Sequence, residues 1–185
     1  MKDEISKDTA EALFEENSLF VFRLAFFLTK SKELADDIVQ ETFLQVFRKY
    51  HTFEPTRPIH PWIYKITLNT TRNLLRKQKW LKYLDVVPEN QYPGIIENTI
   101  LKYEEEKELW SEVNNLSFKS KEVIILHFYY GMKLKEVSNT LCIPLGTCKS
   151  RLNSALNMLR KKFPENEFYF LSKGEDLYDT VKYTP

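Results

Sequence analysis

The stretch Lys133–Lys162, KLKEVSNTLCIPLGTCKSRLNSALNMLRKK, holds two helical apolar patterns, a short break and a cation-rich second half. That is the layout of a helix-turn-helix, which lays its second helix in the major groove of DNA. The chemistry it offers is recognition. Arg151 and Asn153 can read guanine and adenine edges through paired hydrogen bonds, while Lys149, Ser150 and Ser154 suit phosphates. Gly146 would permit the sharp turn, and Thr147 is a natural N-cap that would set which side chains lead into the groove. Leu152, Leu156 and Leu159 then face inward. Arg160, Lys161 and Lys162 suit phosphates or complement the helix dipole. A helical hairpin with a merely solvated basic face would show the same spacing.

A second constellation lies upstream. Lys65, Asn69, Arg72 and Arg76 follow one another at steps of four, three and four, with Asn73 bordering them. On a helix these share one face, opposite Ile63, Ile66, Thr70 and Leu74. A stripe mixing Asn with cations suits nucleic acid, although Lys and Arg also serve simply as solvated helix formers. The loop Phe53–His60, stiffened by Pro55 and Pro58, is suited to receive an extruded base, with a plain connection as its alternative. Trp62, beside it, is expected in the core. In DDIVQETF, Asp37, Gln40, Glu41 and Leu44 share a polar-edged face. Carboxylates beside a DNA surface repel phosphates, so a protein-docking face and a solvated acidic face both fit.

Catalytic chemistry has no comparable support. The three histidines, His51, His60 and His127, are scattered, and there is no Gly-rich phosphate loop or Ser/His/Asp arrangement. We expect no catalytic residue, no metal, no cofactor and no small-molecule substrate. Cys142 and Cys148 lack zinc-site spacing and read as small buried packers in a reducing compartment. The N-terminus has no signal-peptide core, and the apolar run Leu19–Leu28 is too short to span a bilayer, so a cytoplasmic protein is expected.

These residues need a scaffold. With 185 residues, 43% of them hydrophobic, the chain can bury a core for one domain or two small ones. Its net charge of +1 conceals two basic islands, Thr56–Leu84 and Val137–Pro164, separated by an acidic stretch from Asp85 to Glu112. Apolar residues recur at helical spacing almost throughout. The pattern predicts helices over Thr9–Thr29, with Leu13, Phe20, Leu24, Phe27 and Leu28 inward, and over Lys32–Tyr50 behind a Ser31 cap. A third would start at Pro61 and run to Leu84. An acidic helix follows over Ile95–Leu116, then one over Phe118–Tyr130 between Ser117 and Gly131, then the helix-turn-helix pair. The expected fold is all-α: two small helical domains joined by a linker, the C-terminal one a helix-turn-helix. The expected boundaries are 5–85, a linker at 86–100, 101–165, and a tail at 166–185.

Both halves together resemble the extracytoplasmic-function (ECF) sigma factors of bacterial RNA polymerase. The resemblance covers nearly the whole chain apart from the tail. It rests on ALFEENSLFVFRLAFFLTKSKELADDIVQETFLQVF and WIYKITLNTTRNLLRK in the first half, and on LSFKSKEVIILHFYYGMKLKEVSNTLCIPLGTCKSRL in the second. It implies that Asp37, Gln40 and Glu41 dock on the clamp helices of the polymerase β′ subunit. It implies that the loop Phe53–His60, with Lys65, Asn69, Arg72, Asn73 and Arg76, recognises and opens the −10 promoter element. The helix with Thr147, Lys149, Ser150, Arg151, Asn153 and Ser154 would read the −35 element, and its module would touch the β flap. Promoter DNA, core polymerase and a membrane-anchored anti-sigma factor are the implied partners, and strand opening needs no nucleotide hydrolysis. Departures exist. Where the family pattern often reads TVKSRLHRAR, this chain has TCKSRLNSALN, and Lys133 replaces the usual Ser or Thr ahead of the first motif helix. A stand-alone helix-turn-helix regulator is the alternative, but it leaves DDIVQETF and the Pro-rich loop without a role.

Overall fold

The structure, a computed structural model, describes residues 5–83 and 104–163. They form two separate units, both built of helices, with no strand among the described residues. The expected linker at 86–100 and tail at 166–185 lie outside the described residues, as does the first part of the expected acidic helix.

In the first unit, α1 spans Lys7–Thr29, α2 spans Lys32–Lys49, and α3 spans Ile59–Tyr83. A single 3-10 turn, Tyr50–Thr52, follows α2. The Ser6 hydroxyl accepts from the Thr9 N–H at 3.2 Å, so α1 begins earlier than expected. Ser31 caps α2 by accepting from Leu34 N–H at 3.1 Å. Between them Lys30 sits in the left-handed region at φ 60°, and its N–H closes α1 on the Phe26 carbonyl at 2.8 Å. α3 starts at Ile59, not at Pro61. Pro61 still lies in the first turn, where a missing N–H removes no intrahelical bond.

The three helices pack pairwise against one another. Leu13, Val21, Phe43, Val46, Ile63 and Ile66 form the core cluster. Leu24, Phe27 and Leu28 are buried as expected, whereas Phe20 is half-buried with its ring 6.3 Å from that of His60. Along α3 the buried threonines satisfy themselves locally: Thr67 donates to the Ile63 carbonyl at 3.0 Å, and Thr71 to that of Thr67 at 2.8 Å. The Thr67 and Thr71 hydroxyls are thereby satisfied, whereas that of Thr42, buried on α2, finds no hydrogen-bond partner among the described residues.

In the second unit, α4 spans Glu104–Asn115, α5 spans Phe118–Ile124 and runs into one π turn at Ile125–Tyr129, α6 spans Leu134–Leu141, and α7 spans Leu145–Lys162. Ser117 caps α5, and Gly131 ends the π turn at φ 64°. His127, 5% exposed, bonds through Nδ1 to the Met132 carbonyl at 2.8 Å, which fixes the Nδ1–H tautomer. It ties the π turn to the residues leading into α6. Burial pushes the His127 pKa below the ordinary histidine value, against the opposing pull of that backbone bond. The unfolded chain therefore takes up the proton first as pH falls. The stabilisation is complete above about pH 6.5 and is lost as pH drops below it. As pH falls from about 7.5 to about 5.5, amide exchange across 118–132 in the full chain should thus slow less than intrinsic base-catalysed chemistry predicts. His127→Gln should flatten that dependence; an unchanged pH profile in the variant would contradict the assignment.

Candidate nucleic-acid interface

On α3, Lys65, Asn69, Asn73 and Arg76 are exposed and Arg72 is half-buried, so the five predicted residues share one accessible face. Two hydrogen bonds order the stripe: Arg72 Nη1 donates to Asn69 Oδ1 at 3.1 Å, and Arg76 Nη2 to Asn73 Oδ1 at 3.3 Å. Each amide holds a guanidinium from one turn earlier, limiting the rotamers that must be fixed when a ligand arrives. Behind the stripe, Ile63, Ile66 and Thr70 are buried, and Leu74 is half-buried.

α2 presents Asp37, Gln40 and Leu44 to solvent, with Glu41 half-buried and bonded by Gln45 at 2.9 Å. Leu44, an apolar group on this polar face, is 48% exposed. The two stripes meet at one groove, of about 510 Å³. Asp37, Glu41, Gln45 and Lys49 form its α2 wall and Asn69, Asn73 and Lys77 its α3 wall, over Ile66, Thr70 and Leu74. Lys65, Arg72 and Arg76 do not line it. The α3 stripe is therefore graded: amides face the carboxylates of α2, and these three cations lie on the outer edge. Phosphates can meet that edge without approaching Asp37 and Glu41.

At the start of α3 the Phe53 and Trp62 rings lie 5.3 Å apart, and Tyr50 stacks on Phe53 at 6.1 Å. Trp62 is half-buried and packs against the core cluster, so it serves as core on one side and borders the loop on the other. Within the loop, Arg57 pairs with Glu54 at 2.6 Å, an exposed contact of small worth.

The second unit corrects the expected turn. Pro144 is the N-cap residue of α7, so Gly146 and Thr147 lie inside its first turn, and Thr147 does not cap it. The reversal sits earlier. Cys142 takes the left-handed conformation at φ 53°, its N–H bonds the Asn139 carbonyl at 3.2 Å, and Ile143 N–H bonds the Ser138 carbonyl at 3.0 Å. This is a Schellman closure with cysteine where glycine is usual. Cys142 is consequently exposed, not buried; Cys148 is the buried one. At the start of α6, Lys133 N–H donates to Glu136 Oε2 at 2.7 Å, so the glutamate supplies half of the cap that a Ser or Thr would share. Ser138 is buried and its hydroxyl turns onto the Lys135 carbonyl at 2.8 Å, which keeps that contact surface small.

Along α7, Cys148, Leu152, Ala155, Leu156 and Leu159 are buried. The six predicted readers lie outside that stripe, Lys149, Ser150, Asn153 and Ser154 exposed and Thr147 and Arg151 half-buried. At about 100° per residue they cover an arc of about 200°. Ser150 and Ser154 take the middle, Lys149 and Asn153 one flank, Thr147 and Arg151 the other. Asn157, also exposed and near the middle, was not among the predicted readers. Burial pushes the Cys148 thiol up and keeps it neutral, while the nearby Arg151 charge pulls the other way. Buried polar groups also escaped the sequence-based expectations, among them Lys121, Glu122 (1% exposed) and His127. They sit in an apolar run whose spacing carries no sign of them. No described helix is long and apolar enough to cross a membrane.

Residues 13–81 match the family model for Sigma-70 region 2, and residues 113–161 that for Sigma-70 region 4. The chain is 30% identical over 139 residues to the RNA polymerase sigma factor SigV of Bacillus subtilis, covering 75% of this chain and 81% of that one. It is 27% identical over 153 residues to the ECF RNA polymerase sigma factor SigW of the same organism, over 77% of this chain and 82% of the relative. Among solved structures, the sigma factor RpoE in complex with the anti-sigma factor NepR from Bartonella quintana shares the fold. Its TM-score is 0.70 at 22% identity, over 87% of this chain and 99% of that one. CnrH in complex with the cytosolic domain of CnrY matches at a TM-score of 0.61 and 21% identity, over 87% of this chain and 91% of that one.

Proposed function

The chain belongs to the sigma-70 family as an extracytoplasmic-function sigma factor, an alternative sigma factor that directs transcription initiation, and from that premise we propose how its residues divide the work. The first domain, residues 5–85, docks on core RNA polymerase through Asp37, Gln40 and Glu41, which meet the β′ clamp helices. Lys65, Asn69, Arg72, Asn73 and Arg76 engage the −10 element as it opens. The second domain, residues 101–165, reads the −35 element as duplex through α7 and touches the β flap. Residues 86–100 link the two, and 166–185 form a tail.

One observation carries this division. The acidic stripe and the cationic edge lie on adjacent helices of one rigid packing unit, with the asparagines between them. A solvated acidic face would have no reason to carry Leu44 exposed among its polar groups; a docking face does. Cations on the outer edge then hold the strand while the α2 face holds protein. Opening needs no catalytic residue, cofactor or hydrolysis in this chain: captured bases and phosphates supply the free energy. An anti-sigma factor anchored in the membrane, with this chain on the cytoplasmic side, completes the proposed partner set.

A gel shift with purified components tests the division. Specific retention of promoter DNA should require added core polymerase. Tight, specific duplex binding by the chain alone would instead identify a stand-alone helix-turn-helix regulator.

A further inference from the structure

One exposed side chain on α3 has no role in the stripe described above. Trp80 is 67% exposed, and it is the one large apolar group exposed among the described side chains of α3. Its direction is set by the helix. With Lys65 at zero and about 100° per residue, Trp80 falls near 60°. The predicted DNA-facing residues occupy the arc from about −20° (Arg72) to about 80° (Asn73). Trp80 therefore continues the same face, one turn beyond Arg76. Its neighbours on that part of the helix, Asn73, Arg76, Lys77 and Lys79, are all exposed and are all amide or cation.

A protein-docking patch gathers apolar side chains around its anchor. Among the described side chains, those one turn back from Trp80, Arg76 and Lys77, are cations instead. A flat ring set among cations is the arrangement that binds an unpaired strand, because phosphates pair with the charges while a base of any identity stacks on the ring. We propose that Trp80 is a stacking platform for an unpaired nucleotide of the DNA strand held by α3, extending that interface beyond Arg76. This rests on the assignment of α3 as the face that engages the opened strand.

The test uses holoenzyme assembled from the full chain and core polymerase. The probe is a forked duplex carrying, as a single-stranded overhang, the non-template strand of a promoter recovered by transcription selection with this chain. Single abasic sites are moved along the overhang. With the native chain, one abasic position should weaken binding about 10-fold. Trp80→Ala should weaken the intact probe by the same factor and make that position indifferent, while Trp80→Phe should recover part of the loss. Core affinity should not change. Arg72→Ala serves as the separate control for the α3 face. If Arg72→Ala weakens the fork and Trp80→Ala does not, the platform is overturned and the α3 assignment stands. If neither matters, both fall, as they do if the selection returns no promoter. A Trp80→Ala chain that loses core affinity instead would identify a protein contact and overturn the stacking role.

Discussion

Asp37→Lys combined with Gln40→Ala is expected to lower affinity for core RNA polymerase about 100-fold, equivalent to about 2.7 kcal/mol, with helical content unchanged. Both side chains are exposed, while Ile38 beside them is fully buried and untouched, so the substitution acts on the surface and not on the core. A reversed charge in a docking face turns an attraction into a repulsion, which is why the expected loss exceeds that of simple truncation. Fluorescence anisotropy with labelled chain and core enzyme gives the number directly. Unchanged affinity would remove Asp37 and Gln40 from the polymerase contact. Leu44→Ala should give a smaller loss in the same direction.

Arg151→Ala should reduce transcription from promoters with an intact upstream element by about 10- to 100-fold, the worth of one bidentate base contact. Arg151 is half-buried against α7 beside Cys148, so its stem is held and its guanidinium emerges on one flank of the helix. Lysine offers no planar fork, and Arg151→Lys should recover little of the loss. Arg160→Ala, at the exposed end of the same helix, should behave differently. As a phosphate contact it should weaken all sequences alike and reduce the salt slope by about one. Measuring a panel of upstream variants separates the two. An unaltered promoter profile for Arg151→Ala would take Arg151 off the set of base readers.

The elements that sequence located well are those whose signals are local. Ser31 and Ser117 cap helices because a hydroxyl three residues ahead of an N–H suffices, and the stripe on α3 follows from the helical period alone. The recognition turn did not yield to the same logic. Left-handed backbone usually draws glycine, so Gly146 looked like the reversal, yet Cys142 takes it at φ 53° and Pro144 opens the helix. Nothing around a cysteine announces that role. Pro61 misled by two residues for a related reason, since proline is tolerated throughout the first turn and not only at its first position. The groove shared by Asp37, Glu41, Asn69 and Asn73 depends on how α2 packs on α3, and no one-dimensional pattern encodes the meeting of two faces. Glu122 and His127 were hidden likewise: both sit in an apolar run, and the Met132 carbonyl comes within reach of His127 only through the reversal after the π turn, which no side-chain pattern announces.

Run-off transcription with core polymerase on a randomised promoter library shows whether this chain gives the polymerase its promoter. Adding this chain should yield transcripts whose templates share two separated elements, with Arg151→Ala relaxing the upstream one and Arg72→Ala slowing opening at the downstream one. Transcription no greater than that of core enzyme alone would contradict the account.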